Sequence, residues 1–115
     1  MGRIFKEVKI AGAVGGYKKF IALFDSGATH NYIGERFLNT SGVIEYGEES
    51  EHTAVGNNLV KCRRIKLKSL RIRNRAIVEP EFYSIGRDGT EVIIGAKTMQ
   101  KLKIILNPAI KEISL

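Results

Sequence analysis

Apolar and polar positions alternate with a period of two along most of the chain, and that period predicts strands. "RIFKEVKI" (residues 3–10) and "YKKFIALF" (17–24) read as two strands joined by a turn at Gly15-Gly16. The second strand loses its polar alternation near Phe20, which predicts an end buried on both faces. The next residue, Asp25, is then delivered from the tip of a central strand. Residues 31–39, "NYIGERFLN", leave a short helix and an irregular turn both open, with Tyr32, Ile33, Phe37 and Leu38 on the apolar side. Residues 43–60 read as a hairpin turning at Gly56-Asn57-Asn58. From 61 to 75 the alternation is regular: Ile65 and Leu67 against Arg64, Lys66 and Lys68, then Leu70 and Ile72 against Arg71 and Arg73. "AIVEPEFYSI" (76–85) reads as one further strand, Arg87-Asp88-Gly89 as a tight turn, and "EVIIG" (91–95) as a short apolar strand ended by glycine. The period then changes, because Ala96, Met99 and Leu102 are spaced by three and suit a short helix with one buried side. "IILNP" and "IKEISL" close the chain as strands. The sum is an all-β fold: a small closed or folded-over β-structure with one short C-terminal helix, residues 1–115 forming a single domain.

Composition narrows the function classes. A chain of 115 residues that is 43% hydrophobic can bury one core. No apolar run approaches the roughly 18 residues that span a bilayer, and "MGRIFKEVKI" lacks a signal-peptide apolar region. Membrane partners are not expected. The lone Cys62 forms no internal disulfide, and with only His30 and His52 there is no metal-ligand set. No metal and no cofactor are expected, and the location expected is intracellular, in the cytoplasm. The net charge is +7, much of it in "KCRRIKLKSLRIRNR" (61–75), but the alternation reads as the solvated faces of strands. No aromatic residue interleaves the basic ones, so a stacking platform for bases is missing. Nucleic acid is disfavoured as a partner.

The candidate chemistry sits in "LFDSGAT", where an apolar run stops at Asp25 and three small residues follow. Asp-Ser-Gly favours a turn whatever its use. The Gly-x-Ser-x-Gly elbow of serine hydrolases is absent, as is a phosphate-cradling loop, and Cys62 with His52 lies in no recognisable motif. One carboxylate does little for amide hydrolysis, whereas two about 3 Å apart share a proton and divide the roles of base and acid. The other aspartate, Asp88, precedes Gly89 in a turn and is rejected as partner. The remaining solution is symmetric, with two copies of Asp25 meeting across a twofold axis.

Here the chain resembles the retropepsin-like aspartic proteases, the single-lobe homodimeric class of retroviruses, retrotransposons and some cellular proteins. Leu23-Phe24-Asp25-Ser26-Gly27-Ala28, followed by Thr29, matches the family's apolar-apolar-Asp-Ser/Thr-Gly-Ala hallmark. "VIIGAKTMQKL" matches its apolar-apolar-Gly before a late helix, through Ile93-Ile94-Gly95, and "TAVGNN" places Gly56 near the tip of a flap hairpin. The resemblance implies an aspartic endopeptidase acting on extended peptide or unfolded protein, with Asp25 catalytic in each subunit. Ser26, Gly27, Ala28 and Thr29 would support the active-site loop, and small Ala28, a non-donor, argues for a less acid optimum. Val55, Gly56 and Asn57 would be flap residues over the substrate, and Ile94 and Gly95 would pack beneath the loop. The family dimer interleaves its terminal strands, for which "RIF" and "KEISL" are suitable; both are expected to be open edges in a lone chain. The flap lacks an aromatic near its tip and carries His52 before it, and Glu91 stands where an aspartate is common. His30 reads as an exposed loop residue rather than a substrate contact, and Thr29 and Asn31 as local hydrogen-bonders. Two alternatives remain: a non-catalytic peptide-binding or assembly module on the same fold, and a basic β-domain that binds nucleic acid.

Overall fold

A computed structural model describes residues 3–53, 59–85 and 91–115. The alternating segments become strands. β1 (Ile4–Ala11) and β2 (Lys18–Phe24) pair antiparallel, with Val8 opposite Phe20 and Ile4 opposite Phe24. They belong to a nine-stranded sheet that also contains β3 (Tyr32–Gly34), β4 (Glu45–Thr53), β5 (Leu59–Lys66), β6 (Ser69–Ile72), β7 (Arg75–Val78), β8 (Glu81–Ile85) and β9 (Val92–Ile94). The order across it is β4-β5-β8-β3-β9-β2-β1-β6-β7. The contacts β2–β9 and β3–β8 are parallel and the others antiparallel.

That order forces the sheet to roll up. β5 and β6 lie six places apart in it, about 29 Å in a flat sheet. Only Leu67 and Lys68 join them, a span of about 11 Å at most from Lys66 to Ser69. The two halves must therefore face each other. Their inward residues form one core, in which Ile10, Leu70 and Ile72 share a cluster with Ile65, Phe82, Ile33 and Ile94. Each large apolar side chain buried there contributes about 1.5–3 kcal/mol. Ile65, Leu67, Leu70 and Ile72, the apolar half of the basic segment, are buried as the alternation predicts.

The structure departs from the sequence reading in four places. Residues 76–85 are not one strand: β7 and β8 are separated by Glu79 and Pro80. Glu79 has φ 51° and Pro80 has no N–H to give a ladder, so the chain turns a corner there. The Glu79 amide bonds to the Lys68 carbonyl at 3.0 Å, which fixes that corner against the β5–β6 link. Second, there are two short helices among the described residues, not one. α1 (Glu35–Ser41) buries Phe37, Leu38 and Ser41 and stops at Gly42, whose φ is 66°. Third, β2 is interior to the sheet but not buried on both faces. Ala22 and Phe24 point inward, while Ile21 is 64% exposed. Fourth, the N-terminal strand is an open edge only in part: β1 pairs with β2 along its length and with β6 over Lys9–Ala11, which leaves one edge of Ile4–Val8 without a strand partner among the described residues.

The C-terminal segment follows α2 (Ala96–Leu102), whose Thr98, Met99 and Leu102 are buried. It forms a separate two-stranded sheet of β10 (Ile105–Asn107) and β11 (Glu112–Ser114). Ile113 anchors this hairpin in the core, and Glu112 bridges Lys6 at 2.8 Å and Arg73 at 3.3 Å. Those contacts hold the Glu112 carboxyl below its ordinary pKa, the hydrogen bond from Lys6 being the main cause.

The basic residues of the 61–75 segment are largely engaged with neighbours. Arg63 bridges Glu49, Lys66 lies 3.7 Å from Glu45 and Arg64 3.9 Å from Glu81. Arg75 donates to the Leu102 carbonyl at 2.6 Å, and the Arg71 guanidinium stands 5.3 Å from the centre of the Tyr17 ring. Among the described residues no helix is long and apolar enough to cross a membrane.

Candidate active site

Asp25 directly follows β2, between β1 and β9 at the middle of the sheet. Its amide donates to the Ile94 carbonyl at 3.0 Å, so β9 continues to hold the chain as the strand ends. The turn closes at once, because the Ala28 amide donates to the Asp25 carbonyl at 3.1 Å. The Gly27 amide donates to Asp25 Oδ1 at 2.9 Å and orients the carboxylate. A Cβ at Gly27 would stand 3.2 Å from that oxygen, so a side chain there would crowd the group it positions. Ser26, Gly27 and Thr29 are exposed, while Asp25 and Ala28 are half-buried. Asp25 shares a strand face with Leu23 and Ile21, the face that stays open.

The loop is braced from beneath by the "IIGAK" segment. Ile94 is fully buried, and its carbonyl takes the Asp25 amide. The first amides of α2 point at the loop: Ala96 donates to the Ala28 carbonyl at 2.7 Å and Lys97 to the Thr29 carbonyl at 3.1 Å. These are amides that a helix leaves unpaired at its start. Gly95 is required by close approach, since a Cβ there would lie 2.2 Å from the His30 carbonyl oxygen and 2.9 Å from that of Ala28.

Asn31 holds this assembly together, and its reading as a local hydrogen-bonder does not survive. The side chain is 4% exposed. Its Oδ1 accepts the Gly95 amide at 2.9 Å, and its Nδ2 donates to Thr98 Oγ1 at 2.7 Å and, at 3.4 Å, to the Glu81 carbonyl. Its own carbonyl accepts the Tyr83 amide at 2.8 Å. One amide side chain thus links the loop to α2, β8 and the glycine beneath it. A polar residue placed before a run of apolar ones was the only sequence signal for this role.

His30 is likewise not an exposed loop residue. It is half-buried against His52 and Tyr83, with ring centres 5.7 and 4.8 Å away. His52 lies 4.4 Å from Tyr83, and its ring nitrogens are held by Tyr32 Oη at 2.7 Å and Ser50 Oγ at 2.8 Å. A Cys62–His52 catalytic pair is therefore not formed. Cys62 is buried, its thiol lies 3.6 Å from the Val60 carbonyl, and burial raises its pKa, so the reactive thiolate is disfavoured. The expected flap residues Val55, Gly56 and Asn57 lie outside the described residues, as does Asp88. β4 and β5, which flank residues 54–58, pair antiparallel up to Thr53 opposite Leu59.

A rolled β-sheet that presents an Asp-Ser-Gly turn braced by a buried Ile-Ile-Gly segment and a short helix has the fold of the retropepsin-like aspartic proteases. EIAV protease, solved with the inhibitor HBY-793, superposes with a TM-score of 0.68 at 18% identity, over 92% of this chain and 93% of that one. The retroviral protease-like domain of Ddi1 from Leishmania major gives 0.66 at 19% identity, over 100% and 89%. A retropepsin-like aspartic protease from Rickettsia conorii gives 0.67 at 12% identity, over 92% and 85%. At these identities the likeness is one of fold. No protein-family model and no curated protein sequence matches the chain.

Proposed function

We propose that the protein is an aspartic endopeptidase that works as a homodimer, with Asp25 of each subunit forming the catalytic pair. The observation that carries this reading is the setting of Asp25: an oriented carboxylate on the open face of a central strand, on a turn fixed from below at several points. One Asp25 carboxylate takes a proton from a water as the water oxygen attacks the peptide carbonyl. The protonated partner donates to the carbonyl oxygen, and collapse of the tetrahedral species passes a proton to the leaving amine. Exposed Ser26 contacts its counterpart across the twofold axis, and Val55, Gly56 and Asn57 close over an extended peptide.

Two features support dimerisation. Among the described residues the β10–β11 sheet has two strands only, so each strand has an edge without a strand partner there, of the kind a second copy can extend. Ile105 and Ile110, on and beside it, are large apolar residues left exposed in the single chain. Wild type and Asp25→Asn incubated with an unfolded protein across pH 3 to 7, with and without a transition-state mimic of aspartic proteases, test the reading. Cleavage by wild type alone, blocked by the mimic, is expected; equal cleavage by both proteins rejects it. Activity is also expected to fall on dilution and on removal of residues 111–115.

A further inference from the structure

Beside Asp25 the structure gathers a cluster that positioning of the catalytic carboxylate does not use. A row of residues in register crosses the open face of the sheet: Phe5 is opposite Leu23, Leu23 beside Ile93, Ile93 beside Tyr32, and Tyr32 beside Tyr83. At the β2 end the row is apolar. At the β3–β8 end it becomes polar and aromatic, where Tyr32 and Tyr83 meet His30 from the Asp25 loop and His52 from β4. All four side chains are half-buried, so they line the open face rather than fill the core. β3 stands two strand spacings from β2, about 10 Å, which equals about three residues of an extended peptide.

The groups around His30 set its charge preference. Lys97 approaches from α2, His52 from β4, and Glu81 and Tyr83 from β8; Tyr32 of β3 stands behind them, hydrogen-bonded to His52. Glu81 is the one carboxylate among them within the described residues, and it is already shared with Arg64 at 3.9 Å. His52 has its two nitrogens committed to Tyr32 and Ser50. The His30 ring lies tilted against its neighbours, at 43° to His52 and 53° to Tyr83. Two histidines and a lysine thus converge on a place with little negative charge of its own.

We propose that His30, with His52 and Lys97 beside it, forms a subsite that takes an acidic side chain, glutamate or aspartate, of the bound peptide within about three residues of the scissile bond. This rests on the endopeptidase reading and adds substrate class to it. Burial, Lys97 and His52 all push the His30 pKa down, so His30 is neutral near pH 7 in the empty subsite and Lys97 is the cation there. A carboxylate entering as the pH falls stabilises the imidazolium, and the two bind as an ion pair. The preference for an acidic residue therefore rises on acidification, in the range where an aspartic dyad works.

The test uses pairs of extended peptides that differ only by Glu or Gln, placed in turn at each of the three positions on either side of the scissile bond. At pH 5 the wild type is expected to favour Glu over Gln by about tenfold in kcat/KM at one position. At pH 7.5 the ratio is expected to fall several-fold, to what Lys97 alone gives, and in His30→Phe to stay at that lower value at both pH values. Equal rates for Glu and Gln at every position, or a preference at pH 5 that is undiminished in His30→Phe, overturns the proposal. If the wild type cuts no peptide, the endopeptidase reading falls by itself, and the same pairs are compared by fluorescence anisotropy. About tenfold tighter binding of one Glu peptide at pH 5, diminished in His30→Phe, keeps the subsite; equal binding overturns it.

Discussion

Replacing Asn31 by alanine tests how the site is held. The substitution removes the bonds of 2.9 Å to the Gly95 amide and 2.7 Å to Thr98 Oγ1. Gly95 and Thr98 are both buried, so water does not readily replace the lost partner. A buried polar group left without a partner costs about 1–3 kcal/mol. Two such groups give about 4 kcal/mol, a large share of the 5–15 kcal/mol that holds a typical domain. At this chain length the melting temperature should fall by about 15 °C. Urea unfolding at a fixed protein concentration measures the loss, and the m value should not change. Thr98→Val keeps the shape and breaks only one of the bonds, so about 1–2 kcal/mol is expected there. A loss below about 1 kcal/mol for Asn31→Ala would refute the reasoning, because the Gly95 amide would then have another partner.

Gly95→Ala forces a Cβ against the His30 carbonyl and should cost about 1–3 kcal/mol or more; an unchanged melting temperature would show that the loop can yield. Ser41 Oγ is buried without a hydrogen-bond partner among the described residues, so Ser41→Ala should leave stability unchanged or raise it; a loss above about 1 kcal/mol in urea would contradict this. His30 has its pKa lowered by burial first, then by Lys97 and His52, so the unfolded chain binds the proton more readily than the folded one. The stability from His30 is fully present above its unfolded pKa of about 6.5 and is lost as pH falls from there through its lower folded pKa. Melting curves from pH 8 to 5 should therefore slope less in His30→Phe than in wild type. Glu112→Gln weakens the contacts to Lys6 and Arg73, and amide exchange should rise in β10 and β11 while β1 and β2 stay protected.

The parts of the fold legible in the sequence are those fixed by local pattern. Ile65, Leu70 and Ile72 alternate with charges, and each is fully buried, because a strand with one wet face has no other way to place them. Met99 and Leu102 mark the buried side of α2 for the same kind of reason. The corner at Glu79-Pro80 was visible as a proline, but apolar residues on both sides hide it in a single run. β3 has three residues and is a strand only because β8 and β9 flank it, which no propensity could supply. The turn at Asp25 could be read from its own residues. Its support could not: Asn31 bonds to partners 50 to 67 positions away, and His30 packs at a tilt against residues of β4 and β8. The exposure of Ile21 was missed because an apolar run looks the same whether its second face meets a core or an open site.

The central claim is that one working site needs two copies of Asp25, and mixing measures this most directly. Wild type and Asp25→Asn are unfolded together in equal amounts, refolded, and assayed on an unfolded protein against the same total of wild type. Random pairing leaves about one quarter of the dimers with both aspartates, so about one quarter of the activity is predicted. Half the activity would mean that each chain cuts with its own site, and would contradict the account.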